Sequence, residues 1–261
     1  RHLPEINRMS VRQDTEHEGP QHYLNLEDMT QPPISKEEAH DFNRVRQQFS
    51  PQNQAAQQQQ FKQCPLSAER LAKFTNVFQV TTQLYDRLVG LLKQAASAPW
   101  LPPASQAQLG GQITETVGAL SHYAADLNQP LHTTRHSTWQ TALAKPNEQG
   151  SHHFMEVTLF TKSENRKLGD NLTKLHYQPT YLPPLGLKQR LLQQIQNAYL
   201  QVFNLVQGDA QARSSPSTYF ASLKQAWQPI ATQQTVASAC TVSDILHSAY
   251  EEAGRPDLSQ L

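Results

Sequence analysis

Three histidines and two carboxylates carry the densest chemistry in this 261-residue chain. In Ser121-His122-Tyr123-Ala124-Ala125-Asp126-Leu127-Asn128-Gln129-Pro130-Leu131-His132, His122 and Asp126 stand four residues apart. On a helix that spacing stacks two side chains on one face, about 5–6 Å between Cβ atoms. Pro130 opposes helical geometry at Gln129. The helix is therefore expected to end there, with a turn that brings His132 back beside the pair. Ser151-His152-His153-Phe154-Met155-Glu156 repeats the i, i+4 pairing of imidazole and carboxylate. Imidazole nitrogen and carboxylate oxygen are ligand types that zinc favours. A single His-x3-Asp pair also has an ordinary reading, as a surface hydrogen bond or a capping contact. The second pair and His132 favour metal.

The elements that must position these side chains read as helices. No stretch alternates apolar and polar residues as a half-buried strand does; apolar residues recur instead at spacings near 3.6. Residues 1–34 are irregular, punctuated by Pro and Gly. Ser35-Lys36-Glu37-Glu38 is a capping box and predicts a helix through about Phe49. Ser50 to Gln63, with Gln57 to Gln60 consecutive, reads as a solvated loop or a polar helix extension. A long helix is expected from Ser67, burying Phe74, Val77, Phe78, Leu84, Leu88 and Leu91. Ala98-Pro99-Trp100-Leu101-Pro102-Pro103 is a rigid connector. The first ligand helix is expected from about Ser105 to Leu127, with Ile113, Val117, Leu120, Ala124 and Leu127 inside and the ligand pair on a neighbouring face. Thr133 to Gly150 reads as the loop between the ligand helices, where His136 and Trp139 either line a cleft or hold ordinary loop positions. After a connector marked by Pro179, Pro183 and Pro184 come a helix over Gly186 to Val206 and a short one with Tyr219, Leu223 and Trp227. The last helix is expected over Gln233 to Glu252, stopped by Gly254 with Pro256 beyond. Without repeats, and with connectors too short to divide two cores, the chain reads as one all-α domain over residues 1–261.

Composition narrows the function classes. The 22 Lys and Arg balance 22 Asp and Glu, so there is no basic excess of the kind that grips nucleic acid. No apolar run approaches the roughly 20 residues that cross a bilayer. The chain opens at Arg1 without Met or a signal-peptide pattern, and reads as processed or cut from something longer. Cys64 and Cys240 fit either one long-loop disulfide in an oxidising compartment or two buried free thiols.

The string His122-Tyr123-x-x-Asp126-x-Asn128-Gln129-Pro130-Leu131-His132, followed by His152-x3-Glu156, resembles the central signature of the zinc-dependent phospholipase C and S1/P1 nuclease superfamily. Glu156 rather than Asp, with the Asn-Gln-Pro wording, leans toward the phospholipase branch. Upstream, Glu18-Gly19-Pro20-Gln21-His22-Tyr23 is similar to the segment that supplies an early zinc ligand in that superfamily, His22 being the matching residue. The superfamily also uses an Asp before that His, and Asp14 is the match. Its gap to His22 is shorter than usual there, and Glu5 and Glu18 are the alternatives.

The resemblance implies a helical domain around a buried polynuclear zinc site. Asp14, His22, His122 and Asp126 would hold one zinc, and His132, His152 and Glu156 a second, with Asp126 reaching toward a third. In the superfamily an N-terminal Trp and a nearby His complete that third site, whereas this chain opens Arg1-His2-Leu3. Two or three zinc ions are therefore expected. The implied reaction is hydrolysis of a phosphodiester by zinc-activated water, with Asp14 a candidate proton acceptor. The expected substrate is a phospholipid, cut at the glycerol-side phosphate ester by a secreted or periplasmic enzyme in peripheral contact with membrane. One alternative is a single-strand nuclease of S1/P1 type, which would stack bases on aromatic rings. A second is a zinc-binding helical module without catalysis. Tyr23, Trp100, Trp139, Phe154 and Tyr181 are the aromatic candidates for a rim around either substrate.

Overall fold

Caps decide where this chain turns. In the computed structural model, the Ser35 hydroxyl accepts from the Glu38 N–H while the Glu38 carboxylate accepts from the Ser35 N–H, closing the capping box of α1 (Lys36–His40). The predicted run to Phe49 breaks at Asp41. Its extended backbone ends α1, and its carboxylate caps α2 (Phe42–Gln48) by accepting from the Asn43 N–H. The Gln-rich run is a helix, α3 (Pro51–Gln63), with no buried residue. The structure describes residues 5, 20–29, 34–63, 66–71, 76–139, 150–259 and 261. Asp14, Glu18 and Cys64, along with residues 1–4, lie outside them.

The long helix expected from Ser67 is divided. One turn spans Ala68–Leu71, and α4 (Val77–Ala95) starts afresh from Asn76, whose side chain accepts from the Gln79 N–H and donates to the Leu71 carbonyl. The connector leads into α5 (Pro103–Asp126), which opens with Pro at its first position, where the missing N–H costs no bond. Beyond residues 140–149, which lie outside the described residues, α6 (Ser151–His153) passes into a π-helical turn over Phe154–Thr158. Thr161 and Glu164 form a second capping box, at the head of α7 (Lys162–Thr173). The long α8 (Pro184–Arg213) follows.

The two C-terminal helices expected from the sequence are one helix, α9 (Tyr219–Glu252), with Pro229 inside it. Proline removes one intrahelical hydrogen bond and crowds the carbonyl four residues earlier. Here Pro229 and Gln225 are both exposed, so water can reach the carbonyl that loses its partner, while Leu223, Trp227 and Ala231 anchor the opposite face. Gly254, at φ 83°, ends α9 with two reverse bonds, from the Gly254 N–H to the Glu251 carbonyl and from the Arg255 N–H to the Tyr250 carbonyl, each 3.0 Å.

Helix α4 packs along α5, α8 along α9, and α9 covers α5 and α4. Leu88 and Leu92 of α4, Leu120 and Ala124 of α5, Ile195 and Val202 of α8, and Trp227 and Ile245 of α9 share one continuous core. Each fully buried side chain of this size contributes roughly 1.5–3 kcal/mol relative to exposure. The fold is all-helical, with no strand among the described residues. No helix of the described residues is long and apolar enough to cross a membrane. Cys240 is a half-buried thiol on α9, pushed up in pKa by burial.

Candidate metal centre

The last turn of α5 holds the first pair. His122 Nε2 and Asp126 Oδ2 are 3.4 Å apart, as i, i+4 neighbours on one helical face. The helix ends at Leu127, and Pro130–His132 forms a 3₁₀ turn that folds back on it. That return places His132 Nδ1 3.3 Å from Asp126 Oδ1, so the two carboxylate oxygens of Asp126 face different imidazoles. Gln129 serves the turn twice. Its side-chain oxygen accepts from the Leu131 N–H at 3.3 Å, and its amide donates to Glu156 Oε1 at 2.9 Å.

His22 arrives from more than 100 residues away in sequence, on an N-terminal segment laid against the 130–135 turn. The Leu24 N–H donates to the His132 carbonyl at 2.8 Å and the Leu26 N–H to the Thr133 carbonyl at 3.0 Å. Glu27 locks the same junction: its carboxylate accepts from the Thr134 hydroxyl and, at 3.4 Å, from the Arg135 N–H. Burial raises the Glu27 carboxyl to about 7, against the lowering effect of these hydrogen bonds. His22 Nδ1 then lies 2.9 Å from Asp126 Oδ2 and 3.1 Å from His122 Nε2.

The second group sits beside the first. His132 Nε2 is 2.8 Å from His152 Nε2 and 3.3 Å from Glu156 Oε1, and His152 Nε2 is 3.1 Å from the same oxygen. Burial alone would raise the Glu156 carboxyl, but hydrogen bonds with His132 and His152 outweigh it and hold the group well below the usual carboxylate range. The rings of Tyr123 and Tyr23 back the two groups, Tyr123 at 4.9 Å from His22 and Tyr23 at 4.7 Å from His132. His22, Asp126 and His132 are buried, whereas the Glu156 side chain keeps 38% of its surface exposed. The second group therefore opens to solvent and the first does not.

Each group converges three lone-pair atoms, and the chemistry of that donor set can be tested. A tetrahedral zinc with bonds near 2.0–2.1 Å holds its ligand atoms about 3.3 Å apart. The edges here run 2.9–3.4 Å in the first group and 2.8–3.3 Å in the second. A neutral imidazole has one N–H, and a proton lies on one edge of such a triangle at a time. A single cation inside satisfies all three atoms together. Both groups can hold a metal ion.

The structure thus brings together His22, His122 and Asp126 in one group and His132, His152 and Glu156 in the other. Asp14 lies outside the described residues, and Glu5, one of its alternatives, is exposed. Trp139 does not line a cleft: it is fully buried, and its indole N–H donates to Asp209 at 2.8 Å. Phe154 is buried too, Tyr181 is about half exposed, and Trp100 is almost fully exposed on its connector. His136 is buried at the wall of a cavity of about 380 Å³ that it shares with Glu38, Arg44 and Arg135. The roles of Gln129, Glu27 and Asp209 escaped the sequence reading. For Gln129 alone a signal existed, its place immediately before the proline that ends the ligand helix. No family model matches this chain, and comparison with curated proteins and with solved structures likewise finds no match.

Proposed function

We propose that this chain is a zinc-dependent phosphodiester hydrolase of the phospholipase C kind. The observation that carries the reading is the link between the two ligand groups, with Asp126 presenting Oδ2 to His22 and His122 and Oδ1 to His132. Zinc held at both groups would supply a water of near-neutral pKa and a positive clamp for the attacking and leaving oxygens at phosphorus. Asp126 Oδ1 lies 3.3 Å from His132 Nδ1, an ion-pair distance that would help orient the imidazole, whose Nε2 faces the second group. Gln129 does the same for Glu156 through its amide. The open side, formed by Glu156 and His152, is where a substrate phosphate would approach.

Charge favours lipid over nucleic acid. The 22 Lys and Arg are balanced by 22 Asp and Glu, so the chain has no net charge with which to hold a polyphosphate. The deciding experiment loads purified protein with zinc, measures zinc per chain, and assays phosphatidylcholine and single-stranded DNA in parallel. Release of phosphorylated headgroup, lost with EDTA and restored by zinc, is the expected result. Cleavage of DNA without lipid hydrolysis would move the assignment to a nuclease, and bound zinc with neither activity to a zinc-binding module.

A further inference from the structure

Outside the ligand set, the most completely paired carboxylate among the described residues with a link to the site is Asp209 on α8. It is fully buried and accepts from Arg213 Nε at 2.9 Å, from Arg213 Nη2 at 3.2 Å and from the Tyr219 hydroxyl at 2.7 Å. Those partners lie on its own helix and at the start of α9, and they meet its charge where it stands. The remaining donor, the Trp139 indole, belongs to a different part of the molecule.

Trp139 sits where the chain leaves the His132 turn, and its backbone receives the start of α6. The Ser151 N–H donates to the Trp139 carbonyl at 3.0 Å, and the Ser151 hydroxyl donates to the Ser137 carbonyl at 2.8 Å. Gly150 passes so close that a Cβ there would lie 2.7 Å from the Trp139 carbonyl oxygen, a distance only glycine tolerates. The next residue after this junction is His152. From the geometry we infer that Asp209 is a positioning residue for the second ligand group: through Trp139 it fixes the first residue of α6, and so sets His152 against His132. This inference rests on the metal-binding reading of that group and is independent of the substrate.

The test compares zinc and cobalt(II) affinity at the two groups, with His152→Ala identifying the second. Trp139→Phe keeps an aromatic, apolar side chain, smaller than indole, and removes the N–H. It is expected to weaken the second group about tenfold, the lower end of what outer partners of metal ligands contribute, and to alter its cobalt(II) visible spectrum while the first group keeps its affinity. Gly150→Ala, which parts the junction from the other side without touching the core, should do the same. Tyr219→Phe removes a different donor from the same carboxylate and is expected to lower stability with both affinities unchanged. If Trp139→Phe and Gly150→Ala leave both affinities unchanged, or if Tyr219→Phe weakens the second group as much, Asp209 only holds the core together and the inference falls alone. Wild-type protein that binds neither metal overturns the metal reading and this inference with it.

Discussion

Glu27 gives the sharpest quantitative handle on how the site is held. Its carboxyl is buried between the segment that carries His22 and the turn that carries His132, and burial moves its pKa from 4.5 to about 7. Between those values the folded chain keeps a proton that the unfolded chain has released, so stability falls as pH rises through the window. The stabilising effect of the protonated form is complete below pH 4.5 and gone above 7. At about 1.4 kcal/mol for each pH unit, the ionised carboxylate costs about 3 kcal/mol at pH 8. Glutamine imitates the neutral carboxyl: its oxygen can accept from the Arg135 N–H, and its amide can donate to the Thr134 hydroxyl. Glu27→Gln should therefore be more stable than wild type by about 2–3 kcal/mol at pH 8 and indistinguishable from it near pH 4.5. Urea unfolding in EDTA, with equal slopes for the two proteins, measures the difference directly and cancels every other titrating group. A difference that stays flat with pH, or a variant less stable than wild type at pH 8, would show that the carboxylate is ionised and welcome where it sits, and the burial argument would be wrong.

Three further outcomes follow from the same geometry. Asp126→Asn keeps the shape but removes the charge shared by both ligand groups; one zinc should be lost outright and the other held 10–100-fold more weakly, and two zinc ions retained at wild-type affinity would rule out the sharing. Zinc at a hundredfold excess over Kd should add about 2.7 kcal/mol per site, seen as a rise of several degrees in Tm that EDTA reverses and that His22→Ala and His132→Ala each reduce. Pro229→Ala restores the α9 hydrogen bond lost at Gln225 and is expected to stabilise by about 1–2 kcal/mol; a lower Tm would mean that the proline is needed for the path of the helix.

Contacts made within one turn of helix were legible in the sequence, and contacts made across the fold were not. His122 and Asp126 share a face by helical geometry alone, and Pro130 announces the turn that returns His132. His22 was reachable only through the resemblance, because nothing local about a histidine in a Pro-rich segment says that it will meet α5. Two boundaries differ from expectation in opposite directions. The capping box at Ser35 predicts one helix to Phe49, but aspartate serves a helix interior poorly and a cap well, and Asp41 ends one helix and caps the next. Two helices were expected where α9 is continuous, because Pro229, on the exposed face of a well-anchored helix, costs one bond and the helix runs on.

Glu27 and Asp209 make the deeper case. In sequence they are two acids among 22, no different from those that face water. Folded, each is buried and each receives donors from a segment that leads straight to a ligand: Thr134 and Arg135 follow His132, and Trp139 meets the residue before His152. A buried polar group is costly unless it is hydrogen-bonded, so the native arrangement of these loops is the one in which both acids find their partners. The 3₁₀ turn, the π-helical turn and the irregular N-terminal segment that present the ligands have little regular backbone pairing of their own. Their shape is therefore set from beneath, by two acids that no spacing rule could single out, and substitutions that remove their hydrogen bonds, unlike Glu27→Gln, should disturb the ligand groups.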